Sequence, residues 1–358
     1  PRKASALLLG TALGAIVGLG YGRGAYAQGV PQSGDLSTSN TATVEITGPG
    51  TFETADGFSV TPTDPNVNGI NITTPAGPIS DTQFTDDFAS SISGYYGIYA
   101  DHNGDGELRI TTDGKLEGID KHALFVKAWG TSSPVKITVN ELDGASKGLL
   151  ARLGPVNPSD ISLTVNGEVT GQTSEGLEIT QAGKVDLTAY EKITADERGV
   201  SVKSNREVYI RTYSEIQSGS DVMYVMAEDD LTIYATGDIT TPGGSTFGDG
   251  IDARSRGTSG DISITTLGSI SADREGIEAN QRASGNILIS AADVTGGTDG
   301  IEADFNGGGT GALSITTTGT VTGTSDYGIY ARATGVGAAD ATDLAGNSLE
   351  GVSLAIDA

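Results

Sequence analysis

A four-residue segment recurs along the chain and constrains the fold more than any other feature. Glycine, isoleucine, any residue and alanine follow one another five times, at Gly97-Ile-Tyr-Ala, Gly250-Ile-Asp-Ala, Gly276-Ile-Glu-Ala, Gly300-Ile-Glu-Ala and Gly328-Ile-Tyr-Ala. Weaker copies of this tetrad lie in between, at Ala123-Leu-Phe-Val, Gly148-Leu-Leu-Ala, Gly176-Leu-Glu-Ile, Gly199-Val-Ser-Val and Val222-Met-Tyr-Val. Successive copies start 23 to 28 residues apart, which indicates one supersecondary unit per period in a stacked repeat protein.

Each period contains three short segments in which apolar and polar residues alternate with the two-residue step of a β-strand. One period illustrates them with the tetrad at Gly300, the run Leu313-Ser-Ile315 and the piece Gly319-Thr-Val321. Because no helix separates these strands, parallel neighbours can be joined only if the chain coils and each strand pairs with its own copy one period later. The sequence therefore predicts an all-β fold, a single-stranded parallel β-helix (solenoid) with three short strands per coil.

The isoleucine of the tetrad is predicted to point inward and to form an apolar column through Ile98, Ile251, Ile277, Ile301 and Ile329. Aromatic residues make up only 6% of the chain and glycine is abundant, with 53 residues, so the core must consist of small aliphatic side chains. Cysteine is absent, which excludes disulfide bonds and thiolate metal sites. The formal charge of −25 argues against a nucleic-acid partner, since phosphate binding needs clustered Lys and Arg.

The N-terminus has the pattern of a secretory signal peptide. Arg2 and Lys3 precede an apolar run, and the small residues Ala25 and Ala27 stand before Gln28 at the spacing of a cleavage site. Two looser copies of the tetrad occur before the main repeats, at Gly57-Phe-Ser-Val and Gly69-Ile-Asn-Ile. The predicted regions are a signal peptide at 1–27, an N-terminal cap with irregular first coils at 28–95, β-helix repeats at 96–335, and a truncated continuation at 336–358.

One stretch resembles a calcium-binding loop. Asp101, Asn103 and Asp105 occupy alternate positions ahead of Gly106, as ligands and glycine do in an EF-hand loop. The twelfth position of such a loop needs a bidentate glutamate, and here it is Thr112. We therefore expect a turn between the first and second strands of a coil. A weak, extracellular-grade Ca²⁺ site is the alternative, and the sequence indicates no other cofactor.

Catalytic motifs are scarce. The chain has two histidines, His102 and His122, which we interpret as incidental turn residues without the partners of a nucleophilic triad. The sequence Gly-x-Ser-x-Gly occurs once, at Gly144-Ala-Ser-Lys-Gly148, but it lies within the strand repeats and not at the strand-to-helix turn of a serine-hydrolase elbow. No pair of carboxylates is singled out by its spacing, so we predict no catalytic residues and a protein that is not an enzyme.

The third position of the tetrad is predicted to face solvent and to form a stripe from coil to coil. Asp252, Glu278 and Glu302 would stack about 5 Å apart in this stripe. Three arginines are close to them in sequence, Arg254, Arg274 and Arg282. Two interpretations remain open: a solvated face that the arginines partly neutralise, or a stripe that binds a cation or another ligand.

Aromatic residues share the same position, at Tyr99, Phe125, Tyr224 and Tyr330. Exposed rings of this kind are typical of surfaces that contact a protein or a sugar, and the strand propensity of aromatic residues also explains them. The predicted surface stripe therefore has as its candidate contact residues Tyr99, Asp252, Glu278, Glu302 and Tyr330.

These features resemble a known family. The signal-peptide pattern, the long cysteine-free region, the recurrent tetrad and units such as Leu313-Ser-Ile-Thr-Thr-Thr-Gly-Thr-Val-Thr-Gly are similar to the passenger region of a Gram-negative autotransporter (type V secretion). The resemblance covers residues 97–334. It implies a right-handed β-helix that passes through the periplasm and is secreted or displayed at the outer membrane. It also implies adhesion, aggregation or host interaction, functions associated with virulence.

The resemblance further implies partners, which are a host or bacterial surface protein or glycan, or a second copy of the chain. The outer-membrane β-barrel translocator of the family is not apparent after Val336, where the sequence is rich in Ala, Asp and Ser. We therefore expect a truncated passenger that acts without catalysis. Two alternatives remain: a carbohydrate-active, pectin-lyase-like β-helix enzyme, and a two-partner-secreted, haemagglutinin-like filament.

Overall fold

A computed structural model describes residues 28–29, 34–36, 44–48, 50–54, 59–62, 64, 66–77, 81–86, 91–130, 133–154, 158–242, 248–282, 284–305, 311–333, 340–342, 348–350 and 353–357. Every regular element in these residues is a β-strand, and parallel strands stack coil upon coil into a β-solenoid. The predicted fold class is therefore confirmed. The predicted signal peptide at 1–27 lies outside the described residues. Across the described ranges, no helix is long and apolar enough to span a membrane.

The tetrads form one continuous parallel sheet of 13 strands. Residues at the same tetrad position pair directly, so that Ile277 lies opposite Ile251 on one side and Ile301 on the other. The strands of this first sheet are Gln28–Gly29, Val44–Thr47, Ile70–Gly77, Ile98–Gly104, Leu124–Ala128, Leu149–Leu153, Leu177–Ala182, Val200–Ser204, Met223–Ala227, Ile251–Ser255, Ile277–Gln281, Ile301–Phe305 and Ile329–Ala333.

Two further runs of parallel strands complete each coil. The second sheet contains Gly34–Leu36, Gly50–Thr54, Thr82–Asp86, Leu108–Gly118, Val135–Gly144, Ile161–Val165, Val185–Ala189, Val208–Thr212, Leu231–Ala235, Ile262–Thr266, Ile287–Ala291, Ala312–Thr317 and Ser353–Asp357. The third sheet contains Ser91–Gly94, Val169–Gly171, Ile193–Ala195, Ile216–Ser218, Ile239–Thr240, Ile270–Ala272, Val294–Gly296 and Val321–Gly323. Two long strands run through both sheets, Leu108–Gly118 and Val135–Gly144.

The interior is a column of mainly aliphatic side chains, and the prediction of a core made only of such residues is wrong at Phe52, Phe84 and Phe305, which are fully buried in it. At the second tetrad position Ile98, Ile251, Ile277 and Ile301 are fully buried, and Ile329 packs partly buried against the same core. Burial of one such side chain contributes about 1.5–3 kcal/mol. The predicted apolar column is confirmed, and it holds successive coils together.

Close approach of the next coil explains the glycine of the tetrad. A Cβ atom on Gly276 would lie 2.5 Å from the carbonyl oxygen of Gly300 and would overlap a methyl group of Val294 in the third sheet. Gly250 is crowded in the same way by the coil that follows it. In these two repeats the position selects glycine because there is no room for a side chain, whereas Ala123 and Val222 are accommodated at the same position of other coils.

Coils of the same kind extend into the region predicted as an N-terminal cap. Val44–Thr47 pairs with Ile70–Gly77 in the first sheet, which confirms the looser tetrad copy that includes Ile70. The copy predicted at Gly57 is wrong, because Val60 bridges to Ile92 in the third sheet. The first-sheet strand of that coil is Val44–Thr47, which no glycine precedes, so the tetrad pattern did not identify it.

Strands are also described after Ala333. Ser353–Asp357 pairs in parallel with Ala312–Thr317 and extends the second sheet. Asp340–Thr342 and Ser348–Glu350 form an antiparallel pair. The segment at 336–358, predicted to continue the repeats, thus includes a strand that stacks on the solenoid.

Some of the acidic residues of the chain stabilise turns. Turn aspartates accept hydrogen bonds from backbone N–H groups one coil further along, as Asp160 does from Lys184 (2.7 Å) and Asp293 from Thr320 (2.7 Å). A carboxylate that accepts a backbone N–H makes a charge-assisted bond and satisfies a donor that the turn would otherwise leave unpaired. Many carboxylates of this chain are therefore structural, and a surplus of acidic residues alone does not mark a ligand site.

Candidate functional site

Two parallel rows of side chains run along the first sheet. The third-position ladder contains the third residue of each tetrad, and its members pair one coil apart: Tyr99, Phe125, Leu150, Glu178, Ser201, Tyr224, Asp252, Glu278, Glu302 and Tyr330. The preceding ladder contains the residue immediately before each tetrad: Tyr96, His122, Lys147, Glu175, Arg198, Asp221, Asp249, Glu275, Asp299 and Tyr327. Aromatic residues occupy both ends of the two ladders, and carboxylates are concentrated between residues 249 and 302.

The third-position ladder is less exposed than the sequence predicts. Leu150, Ser201 and Asp252 are each only 2% exposed, while the other members are half-buried. The prediction of a solvent-facing stripe is therefore wrong for these three residues. Beside the buried Asp252 lies Arg254 of the same strand, whose Nε donates to Oδ1 at 2.6 Å.

The acidic segment consists of six carboxylates from three successive coils, Asp249, Asp252, Glu275, Glu278, Asp299 and Glu302. Oxygen atoms of Asp249, Asp252 and Glu278 lie within 4.8 Å of one another, and the same is true of a second group, Glu275, Asp299 and Glu302. Carboxylate oxygens are the ligands that Ca²⁺ and Mg²⁺ prefer. Either group could in principle hold such a cation, but two arginines already lie among the carboxylates.

Arg274 ties together three carboxylates of the acidic segment. Its Nε donates to Oδ1 of Asp249 at 2.7 Å, and its Nη2 donates to the other oxygen of the same carboxylate. The guanidinium also lies 2.5 Å from Glu275 and 3.3 Å from Glu278. Because Asp249 is fully buried, this two-pronged ion pair supplies the counter-charge without which a buried carboxylate would be strongly unfavourable.

Arg254 has the corresponding role in the third-position ladder. Its Nε donates to Asp252, and its Nη2 reaches Oε2 of Glu278 at 3.4 Å. Arg254 and Arg274 together provide two positive charges for six carboxylates, so four negative charges remain in excess if all six are ionised. Charges so close together raise the cost of ionising each further carboxylate.

Protonation relieves this excess. Burial raises the pKa of Asp252 to about 7, against the opposing hydrogen bond from Arg254, and the charge of Glu278 adds to the rise. Burial, a hydrogen bond shared with Asp249 and the charge of Asp249 raise the pKa of Glu275 to about 8. Burial also raises the pKa of Glu278. Near neutral pH the acidic segment therefore retains protons that it shares among its carboxyl groups.

The middle of the two ladders consists of paired charges. Lys147 forms an ion pair with Glu175, and its Nζ lies 2.6 Å from Glu178. Further along, Nε of Arg198 donates to Asp221 at 3.0 Å, and its guanidinium lies 4.6 Å from the ring centroid of Tyr224. Positive charge in this part of the ladders is thus bound by neighbouring carboxylates or rings.

The aromatic patch lies at the opposite end of the ladders from the acidic segment and consists of Tyr95, Tyr96, Tyr99, His122 and Phe125. The rings of Tyr96 and Phe125 stack with their centroids 5.6 Å apart. Tyr99 meets Phe125 edge to face, with centroids 5.2 Å apart. The patch joins both ladders across two coils, and its rings are half-buried apart from the more deeply buried imidazole.

His122 lies in a connection between strands, but it is not an incidental turn residue. It is 8% exposed, its ring centroid is 5.5 Å from that of Tyr96, and its Nδ1 is buried without a hydrogen-bond partner. Burial lowers the pKa of His122 to about 4, and the charges of Lys147 and Lys121 contribute to this decrease. The imidazole is therefore neutral at physiological pH. The predicted turn position of His122 is confirmed, but its burial among aromatic rings shows that it is not incidental.

His102 is also misplaced by the sequence interpretation. It belongs to strand Ile98–Gly104 and is fully buried. Its Nδ1 is hydrogen-bonded with Oγ1 of Thr74 (2.7 Å), and its Nε2 with the carbonyl oxygen of Gly106 (2.8 Å). The strand continues past the tetrad and its alternation turns this side chain inward, so His102 joins two coils and is not a turn residue.

The calcium-loop candidates are only partly in a turn. Asp101 and Asn103 belong to the same strand, Ile98–Gly104, and Asp105 follows it in the turn. Both oxygens of Asp101 are engaged: Nδ2 of Asn103 donates to Oδ1 at 2.8 Å, and Nζ of Lys127 lies 3.0 Å from Oδ2. These bonds give Asp101 a structural role between adjacent coils.

A shallow groove of about 470 Å³ lies away from the ladders, at the turns between the first and second sheets. Its lining includes Glu207, Asp230 and Asp261. Glu207 is ion-paired with Lys184 at 2.8 Å, and Asp230 accepts the backbone N–H of Asp261 at 2.9 Å. These two carboxylates of the groove are thus held by the fold and do not converge as a catalytic pair.

No protein-family model matches the chain, and no match occurs among the curated proteins or among the solved structures. Inferences about function therefore rest on the chemistry of the two ladders.

The sequence identifies the third-position ladder but not the preceding ladder. Pairing of Asp252 with Glu278, and of Glu278 with Glu302, confirms their predicted stacking. The second row could have been found from the residue before each glycine, which is Asp249, Glu275 and Asp299 in successive repeats. These residues stand just outside a strand, where two-residue alternation no longer predicts which way a side chain faces.

Proposed function

We propose that the protein is a β-helical adhesion module, secreted or displayed at a cell surface, that binds its partners through the two ladders and has no catalytic activity. The double ladder is the observation that supports this most strongly. The two ladders align side chains in register along one sheet, although these side chains are not required for the aliphatic core. Aromatic rings at its ends and charged groups between them are the residue types that contact proteins and sugars.

We infer further that the chain is a passenger of a type V secretion system. The sequence resemblance and the β-solenoid fold support this inference, and the signal-peptide pattern supports export through the periplasm of a Gram-negative bacterium. A haemagglutinin-like filament shares these features, and the gene sequence beyond Ala358 distinguishes the two. The partners that fit are a host or bacterial surface protein or glycan, or a second copy of the chain.

Adhesion is tested with the chain coupled to fluorescent beads. We expect the beads to aggregate or to adhere to bacterial or epithelial cells, and the double variant Phe125→Ser/Tyr330→Ser to lose this behaviour. Tyr213→Ser is the matched control, because Tyr213 is 41% exposed and follows a strand of the second sheet. Native beads that neither aggregate nor adhere, or a control that loses as much as the double variant, contradict the proposal.

A carbohydrate-active enzyme is the second candidate, and one observation favours it. Asp252 and Glu275 have pKa values raised to about 7 and about 8, and carboxyl groups that stay protonated near neutral pH can act as general acids. Against it, Asp252 is 2% exposed and both groups are ion-paired with arginines. Release of new chain ends from polygalacturonate or neutral glycans, with or without millimolar Ca²⁺, and its loss in Glu275→Gln would establish the enzyme.

A further inference from the structure

Two positive charges beside the aromatic patch lack the ion pairs that are usual in this chain. Cζ of Arg152 and Nζ of Lys121 each lie 5.9 Å from a ring centroid, of Phe125 and Tyr95 respectively. Among the residues described, neither cation has a carboxylate within 4.0 Å, whereas the adjacent Lys147 is held by two. In a chain with 46 acidic and 21 basic residues, a cation without such a partner can pair with an anionic group of a ligand.

The rings beside these cations present apolar surface on the outer side of the sheet. Tyr99 and Phe125 are half-buried, and Phe125 has no polar atom that would make exposure to water favourable. Ligand sites combine apolar surface of this kind with a few polar groups that fix orientation. The C–H face of a sugar ring can pack on the aromatic surface while a substituent reaches the guanidinium.

His122 adds a buried polar group to the patch. Its side chain is more than nine-tenths buried, and its Nδ1 has no hydrogen-bond partner among the described residues. Burial is the main cause of its lowered pKa, and the charges of Lys147, Lys121 and Arg152 act in the same direction. The charge of Glu175 acts in the opposite direction.

We propose that the aromatic patch, together with Arg152 and Lys121, binds a carboxylated saccharide. The sugar ring packs on Tyr99 and Phe125, and its carboxylate pairs with the guanidinium of Arg152, an arrangement that a planar fork of donors favours. This rests on the proposed adhesive function and specifies the ligand class of the ladders. A neutral sugar lacks the group that the cations would recognise, and an acidic peptide lacks the ring face that the aromatic surface would receive.

The test is calorimetric titration of the full chain with tri-galacturonic acid. We expect saturable binding, and binding about tenfold or more weaker for the fully methyl-esterified trisaccharide, for tri-glutamate and for acetate. Arg152→Gln and Phe125→Leu should each weaken binding about tenfold. Arg256→Gln is the matched control, because Arg256 is also exposed without a carboxylate within 4.0 Å among the described residues, and it should change affinity less than about twofold.

Circular dichroism establishes that each variant folds, and the more conservative Arg152→Lys separates loss of the planar fork from loss of charge. Binding of the ester or of tri-glutamate as tight as that of the acid overturns the proposal. So does unchanged affinity in Arg152→Gln and Phe125→Leu, or no binding at millimolar trisaccharide. If coated beads still adhere while the trisaccharide does not bind, the ligand class is wrong and adhesion stands; if neither occurs, the proposed function fails as well.

Discussion

The acidic segment and the aromatic patch belong to the same two ladders, yet they balance their charges in opposite ways. In the acidic segment Arg254 and Arg274 each contact more than one carboxylate, and the raised pKa values of Asp252 and Glu275 favour bound protons as the rest of the balance. Beside the aromatic patch, Cζ of Arg152 lies 5.9 Å from the ring centroid of Phe125, and no carboxylate of the described residues lies within 4.0 Å of Arg152. One region satisfies its own charges, and the other leaves a cation and rings available to a partner.

This difference shows that charge density is a poor guide to where such a solenoid binds ligands. The core fixes the register of every coil, so the ladder positions can carry any side chain without changing the fold. A row of many acidic residues can therefore be accommodated by the fold, and neighbouring arginines and bound protons neutralise its charge. The state of pairing of each charged group, which only the three-dimensional structure shows, separates structural charges from available ones.

The largest expected change in the free energy of unfolding comes from removing the counter-charge in the acidic segment. Arg274→Ala leaves the fully buried Asp249 unpaired, and we expect it to lower the free energy of unfolding by about 3 kcal/mol. Arg152→Ala, which breaks no ion pair with a carboxylate of the described residues, should lower it by less than about 0.5 kcal/mol. Urea unfolding at pH 7 measures both. Equal losses would show that the two regions do not differ in how their arginines are used.

The next effect is loss of stability as pH rises, which comes from the acidic segment. Folded-state pKa values of about 7 and about 8 for Asp252 and Glu275 lie above their usual values, so between about pH 4 and 8 the folded state binds more protons than the unfolded chain. Their stabilisation is complete below pH 4 and is lost as pH rises to 8. Asp252→Asn should remove about 2 kcal/mol of this dependence. Thermal unfolding from pH 5 to 8 that keeps the same slope in the variant would contradict it.

A smaller effect of opposite sign comes from the aromatic patch. Because the pKa of His122 is lowered to about 4, the unfolded chain binds the extra proton between pH 6.5 and 4. The contribution of neutral His122 is therefore present above pH 6.5 and is lost as pH falls to 4. His122→Phe, which keeps an aromatic ring and removes the unpaired Nδ1, should raise stability at pH 4.5 by about 1–2 kcal/mol relative to its effect at pH 7. A variant whose effect is the same at both pH values would show that His122 titrates normally.

The smallest expected change in stability comes from substitutions at the first tetrad position, which can be compared between the two regions. At Gly276 in the acidic segment there is no space for a Cβ atom, while Ala123 beside the aromatic patch carries one and is fully buried. Gly276→Ala should destabilise by about 1 kcal/mol through overpacking, and Ala123→Gly by about 0.5 kcal/mol through chain entropy. Denaturant midpoints measure both. A stabilising Gly276→Ala, the result expected where alanine fits without strain, would mean that the coils are less tightly stacked than the structure shows.

The fold and the register could be predicted from the sequence because one physical requirement recurs in every period. The second tetrad residue is buried, as Ile277 is, and the first has no space for a side chain at repeats such as Gly276. The two residues together therefore identify the coils. Exposure along the ladders could not be predicted in the same way, since Asp252 is buried while Glu278 and Glu302 at the same tetrad position are half-buried. His102 was misjudged because its strand runs past the tetrad, a boundary that sequence patterns locate poorly.

The aromatic patch could be predicted only in part. Tyr99 and Phe125 were found because they share a ladder position. Tyr96 and His122 were not connected with them, because they stand before the strands. Their packing against Phe125 is a contact between different ladders that repeat spacing does not reveal.

A crystal structure of the chain grown with tri-galacturonic acid at millimolar concentration tests most directly the claim that the aromatic patch is available to a ligand and the acidic segment is satisfied from within. We expect a sugar ring on Tyr99 and Phe125, with its carboxylate within hydrogen-bond distance of Arg152. The acidic segment should keep the ion pairs of Arg254 and Arg274. A saccharide bound over the acidic segment through a bridging cation, with the aromatic patch empty, would contradict the claim.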